Sequence, residues 1–277
     1  MKFSKKPQST GLFSGKLPEN AQYFTHDFGA YASEARIVYD QQHHEPWVIS
    51  MHGAKGDFTK NDLFTLGLRD RGYSVLTMTL SGHSPASGVD PQDTSLGNNM
   101  REAEAFYDYL DSHRKKIVIG YSMGGTSALN LLRSHADDIE KLILFYPGVY
   151  DAKAYEKHFG TDFKAAISRP YSYKDNDVIV LLRSFPGKVL LICGEYDGLD
   201  PVAFGKPAGG SAGYVEIDGQ EYYSPIPKDV IIAIQATAPD VQFIEVPGCD
   251  HAIAPRLKDQ PEKVTELLDI ITEFLKA

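Results

Sequence analysis

The stretch of sequence that decides the fold is Ile117-Val118-Ile119-Gly120-Tyr121-Ser122-Met123-Gly124-Gly125. Its β-branched start predicts a buried strand, and the residues that follow, Thr126 to Arg133, can form a helix. Gly-x-Ser-x-Gly at the join is the pattern of a nucleophile elbow, a strand-to-helix turn so tight that the residues flanking the serine have no room for a Cβ atom. Ser122 is therefore the first candidate for a covalent nucleophile.

A serine hydroxyl is a weak nucleophile until a base takes its proton, so a histidine and an orienting carboxylate are needed downstream. The strand-like run Val241 to Val246 opens into a Pro-Gly-x-x-His turn that ends at His251. An earlier run, Lys188 to Cys193, opens into a turn with three carboxylates, Glu195, Asp197 and Asp200. Both turns follow strand ends, where an open α/β sheet carries its functional loops.

The chain order of serine, acid and histidine resembles that of the α/β-hydrolase superfamily, and in particular its esterase and monoacylglycerol-lipase-like members. In that family the acid stands at the fourth position of Gly-x-x-Asp, which here is Asp197. The resemblance implies a catalytic triad of Ser122, Asp197 and His251. Glu195 and Asp200 are the competing acids, with a solvated loop position as the alternative for each.

The resemblance also places an oxyanion hole. The strand-like run Trp47 to Met51 leads into His52-Gly53-Ala54, which matches the family's His-Gly-x motif. It implies that the backbone amides of Ala54 and Met123 bind the oxyanion and that His52 has a structural role.

One segment departs from the family pattern, because many esterase-like members carry a charged turn where Leu80-Ser81-Gly82-His83-Ser84 is neutral. His83 and Ser84 could approach the site or simply pack the loop. The pair His43 and His44 belongs to a polar loop, with no third ligand nearby for a metal. We expect no metal and no cofactor.

Alternation of strand and helix patterns predicts the fold class, an α/β doubly wound, mostly parallel sheet within one domain spanning residues 1–277. The predicted strands are Ala35 to Tyr39, Trp47 to Met51, Ser74 to Thr79, Ile117 to Ile119, Lys141 to Tyr146, Val189 to Cys193 and Val241 to Val246. The predicted helices are Asn61 to Arg71, Leu96 to Asp111, Met123 to Ser134 and Pro261 to Lys276.

Two insertions are expected. Residues 147–186 form a segment rich in aromatic residues where this fold usually carries a small cap over the active site. These side chains could roof an apolar substrate or pack the cap against the core. Residues 205–225 contain Asp218-Gly219 between alternating residues, which predicts a hairpin from Tyr214 to Tyr223 that borders the pocket or decorates an edge.

Composition narrows the remaining possibilities. The net charge of -9 argues against a nucleic-acid partner, which would need clustered Lys and Arg. The basic N-terminus lacks the apolar segment of a signal peptide, and no run is long enough to span a bilayer, so we expect a cytoplasmic protein. Cys193 and Cys249 end two strands and are expected to be reduced core residues, with a disulfide as the alternative.

The function predicted from these patterns is a serine hydrolase that cleaves a small to medium apolar carboxylic ester through an acyl-enzyme. A thioesterase or an acyltransferase would use the same site. A peptidase, a lactonase, a C–C hydrolase and a non-catalytic ligand receptor also occur on such a scaffold, and the fold does not choose among them. The sequence leaves the oligomeric state open.

Overall fold

A computed structural model describes residues 18, 20–43, 45–169, 171–199 and 213–277. The strands are β1 (Ala21–Asp27), β2 (Ala32–Val38), β3 (Val48–Met51), β4 (Val75–Met78), β5 (Lys116–Tyr121), β6 (Ile139–Phe145), β7 (Lys188–Gly194), β8 (Tyr214–Ile217), β9 (Gln220–Tyr223) and β10 (Val241–Val246). The α-helices are α1 (Asp62–Arg69), α2 (Leu96–Tyr107), α3 (Met123–His135), α4 (Thr161–Ile167), α5 (Lys228–Thr237), α6 (Ile253–Leu257) and α7 (Pro261–Lys276).

The described residues form an eight-stranded sheet with the order β1-β2-β4-β3-β5-β6-β7-β10. β2 pairs antiparallel with β1 and β4, and the strands from β4 to β10 in this order are parallel. Every residue of β3, β4 and β5 is buried, as expected for parallel strands covered on both faces. The predicted mostly parallel, doubly wound sheet is confirmed.

Helices cover both faces of this sheet. Alternate residues of each central strand point to opposite faces, so that Leu191 and Cys193 join the apolar core on one side and Leu190 and Ile192 join the core on the other. The first core includes α2, α3 and α5, and the second includes α1, α6 and α7. Cys193 and Cys249 are buried free thiols in these two different cores.

The segment between β6 and β7 contains α4 and three short 3-10 helices, Ala152–Ala154, Ser172–Asp175 and Ile179–Ser184. Its aromatic side chains are mostly buried in the same core as α2 and α3; they are Tyr150, Tyr155, Phe159, Phe163 and Tyr173. Tyr171 is exposed. Two roles were expected for these aromatic residues, and five of them have the second one, which is packing against the core.

The predicted hairpin is present as β8 and β9, which pair antiparallel from Tyr214 and Tyr223 to Ile217 and Gln220. Asp218 and Gly219 both have positive φ, 52° and 77°, as a tight two-residue hairpin turn requires. The hairpin forms a separate two-stranded sheet. The first part of the expected insertion, residues 205–212, lies outside the described residues.

No helix in the described part of the chain is long and apolar enough to cross a membrane.

Candidate active site

Ser122 lies at the sharp turn between β5 and α3 with φ 49° and ψ −119°, a backbone conformation that is costly for a residue with a side chain. Two glycines make the turn sterically possible. A Cβ atom at Gly124 would lie 2.5 Å from the carbonyl oxygen of His52, and one at Gly120 would lie 2.7 Å from that of Gly124. The spacing of Gly-x-Ser-x-Gly is thus explained by backbone contacts on both sides of the serine.

Three side chains from distant parts of the sequence form one chain of hydrogen bonds. His251 Nε2 lies 2.9 Å from Ser122 Oγ, and His251 Nδ1 lies 2.6 Å from Asp197 Oδ2. Since an ionised carboxylate can only accept, Nδ1 carries the proton and Nε2 is free to accept one from the serine. The arrangement can therefore remove a proton from Ser122 Oγ.

The charged end of this chain is shielded from water. The Asp197 side chain is 1% exposed and that of His251 is 9% exposed. Asp197 Oδ1 also accepts a hydrogen bond of 3.0 Å from the backbone amide of Gly198. Little water can compete for these groups, so their bonds are stronger than they would be at a surface.

Of the competing acids, Glu195 is placed elsewhere. It is exposed, and its Oε2 accepts a hydrogen bond of 2.8 Å from the backbone amide of Gly248. Asp200 lies outside the described residues. Within the described part of the turn, Asp197 is the carboxylate bonded to His251.

The predicted oxyanion loop lies beside the serine. A Cβ atom at Gly53 would be 2.8 Å from Ser122 Cβ and 3.5 Å from its Oγ. The backbone amide of Met123 belongs to the first turn of α3, where amides have no partner within the helix. Two loops that could offer backbone donors thus meet at Ser122.

His52 is fully enclosed behind this loop. Its Nδ1 donates to the Gly53 carbonyl at 2.7 Å, and its Nε2 accepts from the Leu80 amide at 2.9 Å. Burial, together with the neighbouring His83, lowers the pKa of His52 to about 3, so the ring stays neutral. These contacts agree with a structural role for His52.

Comparisons with known proteins find similar sequences and the same fold. A family model described as serine aminopeptidase, S33 matches residues 42–172, which include the Gly53 loop and Ser122 but end before Asp197. Est1E from Butyrivibrio proteoclasticus, solved with ferulic acid bound, superposes with a TM-score of 0.62 at 17% identity, covering 92% of this chain and 100% of that one.

Two further solved structures have the same fold. The enol-lactonase from Burkholderia xenovorans LB400 has a TM-score of 0.60 at 14% identity, covering 91% of this chain and 100% of that one. The thioesterase domain from the curacin biosynthetic pathway has a TM-score of 0.58 at 13% identity, covering 90% and 98%. The described residues have the α/β-hydrolase fold.

His83 is a packing residue by its contacts. Its Nε2 lies 2.7 Å from Asn99 Oδ1, and its ring lies 4.8 Å from that of Phe159. Burial lowers the pKa of His83 to about 4, so it is uncharged at neutral pH. The loop-packing role weighed for this histidine is the one that these contacts support.

His43 also has a local partner, because its Nδ1 lies 2.6 Å from Asp40 Oδ2. His44 lies outside the described residues. Among the residues that the structure describes, no three His, Cys, Asp or Glu side chains cluster as metal ligands do.

The sequence did not single out two aromatic neighbours of His251. The centre of the Tyr146 ring lies 4.4 Å from that of the His251 imidazole. The centre of the Tyr223 ring lies 5.3 Å from the imidazole centre, and the two ring planes are at 89° to each other. Burial, and then the charge of Asp197, raise the pKa of the Tyr146 phenol, which therefore stays neutral. Tyr146 directly follows β6, and Tyr223 ends the predicted hairpin, so each had only its position beside a predicted element as a signal.

Proposed function

We propose that this chain is a serine hydrolase that cleaves a small to medium apolar carboxylic ester through an acyl-enzyme. The observation that carries the proposal is the unbroken chain of hydrogen bonds from Ser122 through His251 to Asp197. The α/β-hydrolase fold, together with the serine aminopeptidase family model that matches residues 42–172, supports the general class of reaction.

In the proposed mechanism, His251 Nε2 takes the proton of Ser122 Oγ as the oxygen attacks the carbonyl carbon of the ester. Asp197 orients the imidazole and stabilises its charged form. The backbone amides of Ala54 and Met123 bind the oxyanion of the tetrahedral intermediate. The Gly53 carbonyl, bonded to His52, would fix the peptide plane that carries the Ala54 amide.

The intermediate collapses when the carbon–oxygen bond to the leaving group breaks, and His251 gives its proton to the departing alkoxide. Water then attacks the acyl-enzyme while the same imidazole removes one of its protons. A second collapse releases the carboxylic acid and returns the proton to Ser122. The enzyme ends in its starting state, with one ester and one water consumed.

An apolar substrate is supported by the surroundings of the imidazole. Tyr146 and Tyr223 present rings to His251. Aromatic faces favour an acyl group or ring over a charged substrate. Two of the similar solved structures are named as an enol-lactonase and a thioesterase domain, and their names support acyl transfer from carbonyl compounds in general.

The experiment that tests the proposal compares matched oxygen esters and thioesters of increasing acyl length with purified wild-type protein and Ser122→Ala. We expect turnover of short and medium oxygen esters that is lost in the variant. Faster turnover of the thioesters would instead identify a thioesterase. Equal turnover by wild type and the variant would refute the assignment of Ser122.

A further inference from the structure

The β8–β9 hairpin contacts both of the loops that carry the proposed acid and base. It follows β7 and the Asp197 turn in the chain, and its last strand ends beside the His251 turn that follows β10. The hairpin is not part of the eight-stranded sheet, so pairing with that sheet does not account for its contacts with these loops.

On the side of the acid, the hairpin makes two contacts. The backbone amide of Leu199 donates to Ser224 Oγ at 3.1 Å, and Ser224 is fully buried. The ring of Tyr196 stacks on that of Tyr222 with centroids 4.0 Å apart. Residues one before and two after Asp197 are thus attached to the end of the hairpin.

On the side of the base, the contacts are made by the main chain of Tyr223. The backbone amide of His251 donates to the Tyr223 carbonyl at 2.9 Å. The Tyr223 amide in turn donates to Asp250 Oδ2 at 3.1 Å. One residue of the hairpin therefore holds two successive residues of the His251 turn.

Asp250 is the buried centre of this connection, with 2% of its surface exposed. Besides Tyr223, it accepts hydrogen bonds from the Ala252 amide at 2.9 Å and from Arg256 Nη2 at 2.7 Å. Burial alone would raise the pKa of this carboxyl, but hydrogen bonds from Arg256 and the two backbone amides outweigh it and hold the pKa below its usual range. Asp250 is therefore ionised at neutral pH.

These contacts are separate from the proposed catalytic bonds. The oxygens of Asp250 are bonded to Tyr223, Ala252 and Arg256. The two imidazole nitrogens of His251 are instead bonded to Ser122 and Asp197. Asp250 can therefore influence the reaction through the placement of its neighbour, without touching the reacting atoms.

We infer that Asp250 is a positioning residue, which fastens the His251 turn to the β8–β9 hairpin and so holds the imidazole between Ser122 and Asp197. This inference rests on the proposed function. It gives the hairpin a role in the active site, as a clamp that joins the acid-bearing loop to the histidine-bearing loop.

The physical reason is that the imidazole must meet two partners at once. A displacement of its backbone by about 1 Å is enough to cost about 100-fold in rate. Loss of the Asp250 carboxylate would leave the Tyr223 amide and the Arg256 guanidinium without this acceptor. Of its two hydrogen bonds with Tyr223, the turn would then keep only the one from the His251 amide to the Tyr223 carbonyl, so its attachment to the hairpin would be weaker. Since the Asp250 carboxylate is bonded to neither of the imidazole nitrogens nor to Ser122, its loss should act mainly on kcat.

The test compares Asp250→Asn and Asp250→Ala with Asp259→Asn, a matched change at an exposed carboxylate nine residues later. We expect kcat to fall about 10- to 100-fold in Asp250→Ala, with a smaller fall in Asp250→Asn because the amide keeps one acceptor oxygen. The KM of the Asp250 variants should stay close to the wild-type value. The activity of Asp259→Asn should also stay close to wild type. The rate of labelling by a fluorophosphonate should fall in parallel with kcat.

A spectroscopic measurement separates positioning from a merely structural role. The low-field proton NMR resonance of the His251–Asp197 hydrogen bond should shift or broaden in the Asp250 variants at a temperature where circular dichroism shows them folded. If Asp250→Ala does not fold, Arg256→Gln provides a milder loss of the same network. A folded variant with wild-type kcat, labelling rate and resonance would overturn the inference.

Failure of this inference is distinguishable from failure of the proposed function. If wild type is labelled at Ser122 and the Asp250 variants are labelled at the same rate, the proposed function stands and the clamp is wrong. If Ser122→Ala keeps wild-type activity, the proposed function is wrong. The NMR resonance still reports in that case whether Asp250 positions His251.

Discussion

Gly53 lies directly against Ser122, with so little space between them that a Cβ atom at residue 53 would be 2.8 Å from Ser122 Cβ. Real Cβ atoms do not approach a neighbour this closely, so any side chain here must push the oxyanion loop or the serine out of place. The glycine of His52-Gly53 is therefore explained by its distance from the proposed nucleophile.

We predict that Gly53→Ala lowers kcat by about 100-fold or more, because one lost oxyanion donor costs about 10²- to 10³-fold. Gly160→Ala is the matched control, since a Cβ atom there meets nothing within 4 Å and its φ of 166° is ordinary extended backbone. Steady-state kinetics on the best ester decide the matter. Full activity in Gly53→Ala would show that this loop takes no part in catalysis.

The choice of acid gives a second prediction. Asp197→Asn should lower kcat by about 10³-fold or more, because an amide cannot hold the imidazole in the tautomer that accepts the serine proton. Glu195→Gln changes a carboxylate two residues away whose partner is the Gly248 amide, and should keep nearly full activity. Both rates are measured on folded protein. A crippled Glu195→Gln beside an active Asp197→Asn would mean that the acid is misassigned.

The helices and strands that could be predicted from the sequence are those with a strong local signal. β10 and α7 have the predicted bounds, Val241–Val246 and Pro261–Lys276, because a compact apolar run and a helical stripe beginning at proline are local signals. The turn at Asp218-Gly219 was likewise predictable from two residues that tolerate positive φ.

Elements whose form depends on tertiary contacts were missed. β1, with the sequence Ala-Gln-Tyr-Phe-Thr-His-Asp, is an edge strand that exists through its antiparallel pairing with β2. α5 contains the run Val-Ile-Ile-Ala-Ile, which has as much strand as helix character, and no helix was predicted there. The intrinsic helix or strand propensity of the residues is a weak guide at such positions, because tertiary packing decides which secondary structure forms.

The residues of the candidate site also fall into two groups, those that a local motif predicts and those that only tertiary contacts reveal. Ser122, Asp197 and His251 each follow a predicted strand in a recognisable turn, so the sequence could name them. Tyr146, Tyr223 and Asp250 have no such motif. The roles proposed for them rest on contacts such as the bond between Tyr223 and Asp250, which are 27 residues apart. Periodicity and turn chemistry do not carry that kind of information.

The lowered pKa of the buried His52 predicts how the free energy of unfolding depends on pH. Its pKa is lowered from 6.5 to about 3 in the folded protein, so between these values the unfolded chain binds a proton that the folded chain does not. The free energy of unfolding should therefore fall as pH decreases through this window, by on the order of 1 kcal/mol per pH unit for this group. His83 acts in the same direction.

Urea unfolding at a series of pH values between about 7 and 4 measures this slope. His52→Gln removes the titrating group and should give a shallower slope than wild type, whatever its absolute stability. His113→Gln, a change at an exposed histidine, should leave the slope as it is. An unchanged slope in His52→Gln would show that His52 is not held neutral.

The most direct test of the central proposal is intact-mass analysis of wild type and Ser122→Ala after treatment with a fluorophosphonate, a reagent that reports an activated serine without knowledge of the substrate. The Ser122–His251–Asp197 arrangement predicts one adduct on wild type and none on the variant, and a loss of about 10³-fold or more in turnover in Ser122→Ala. An adduct that persists on Ser122→Ala, or no adduct on folded wild type, would contradict the assignment of Ser122 as the nucleophile.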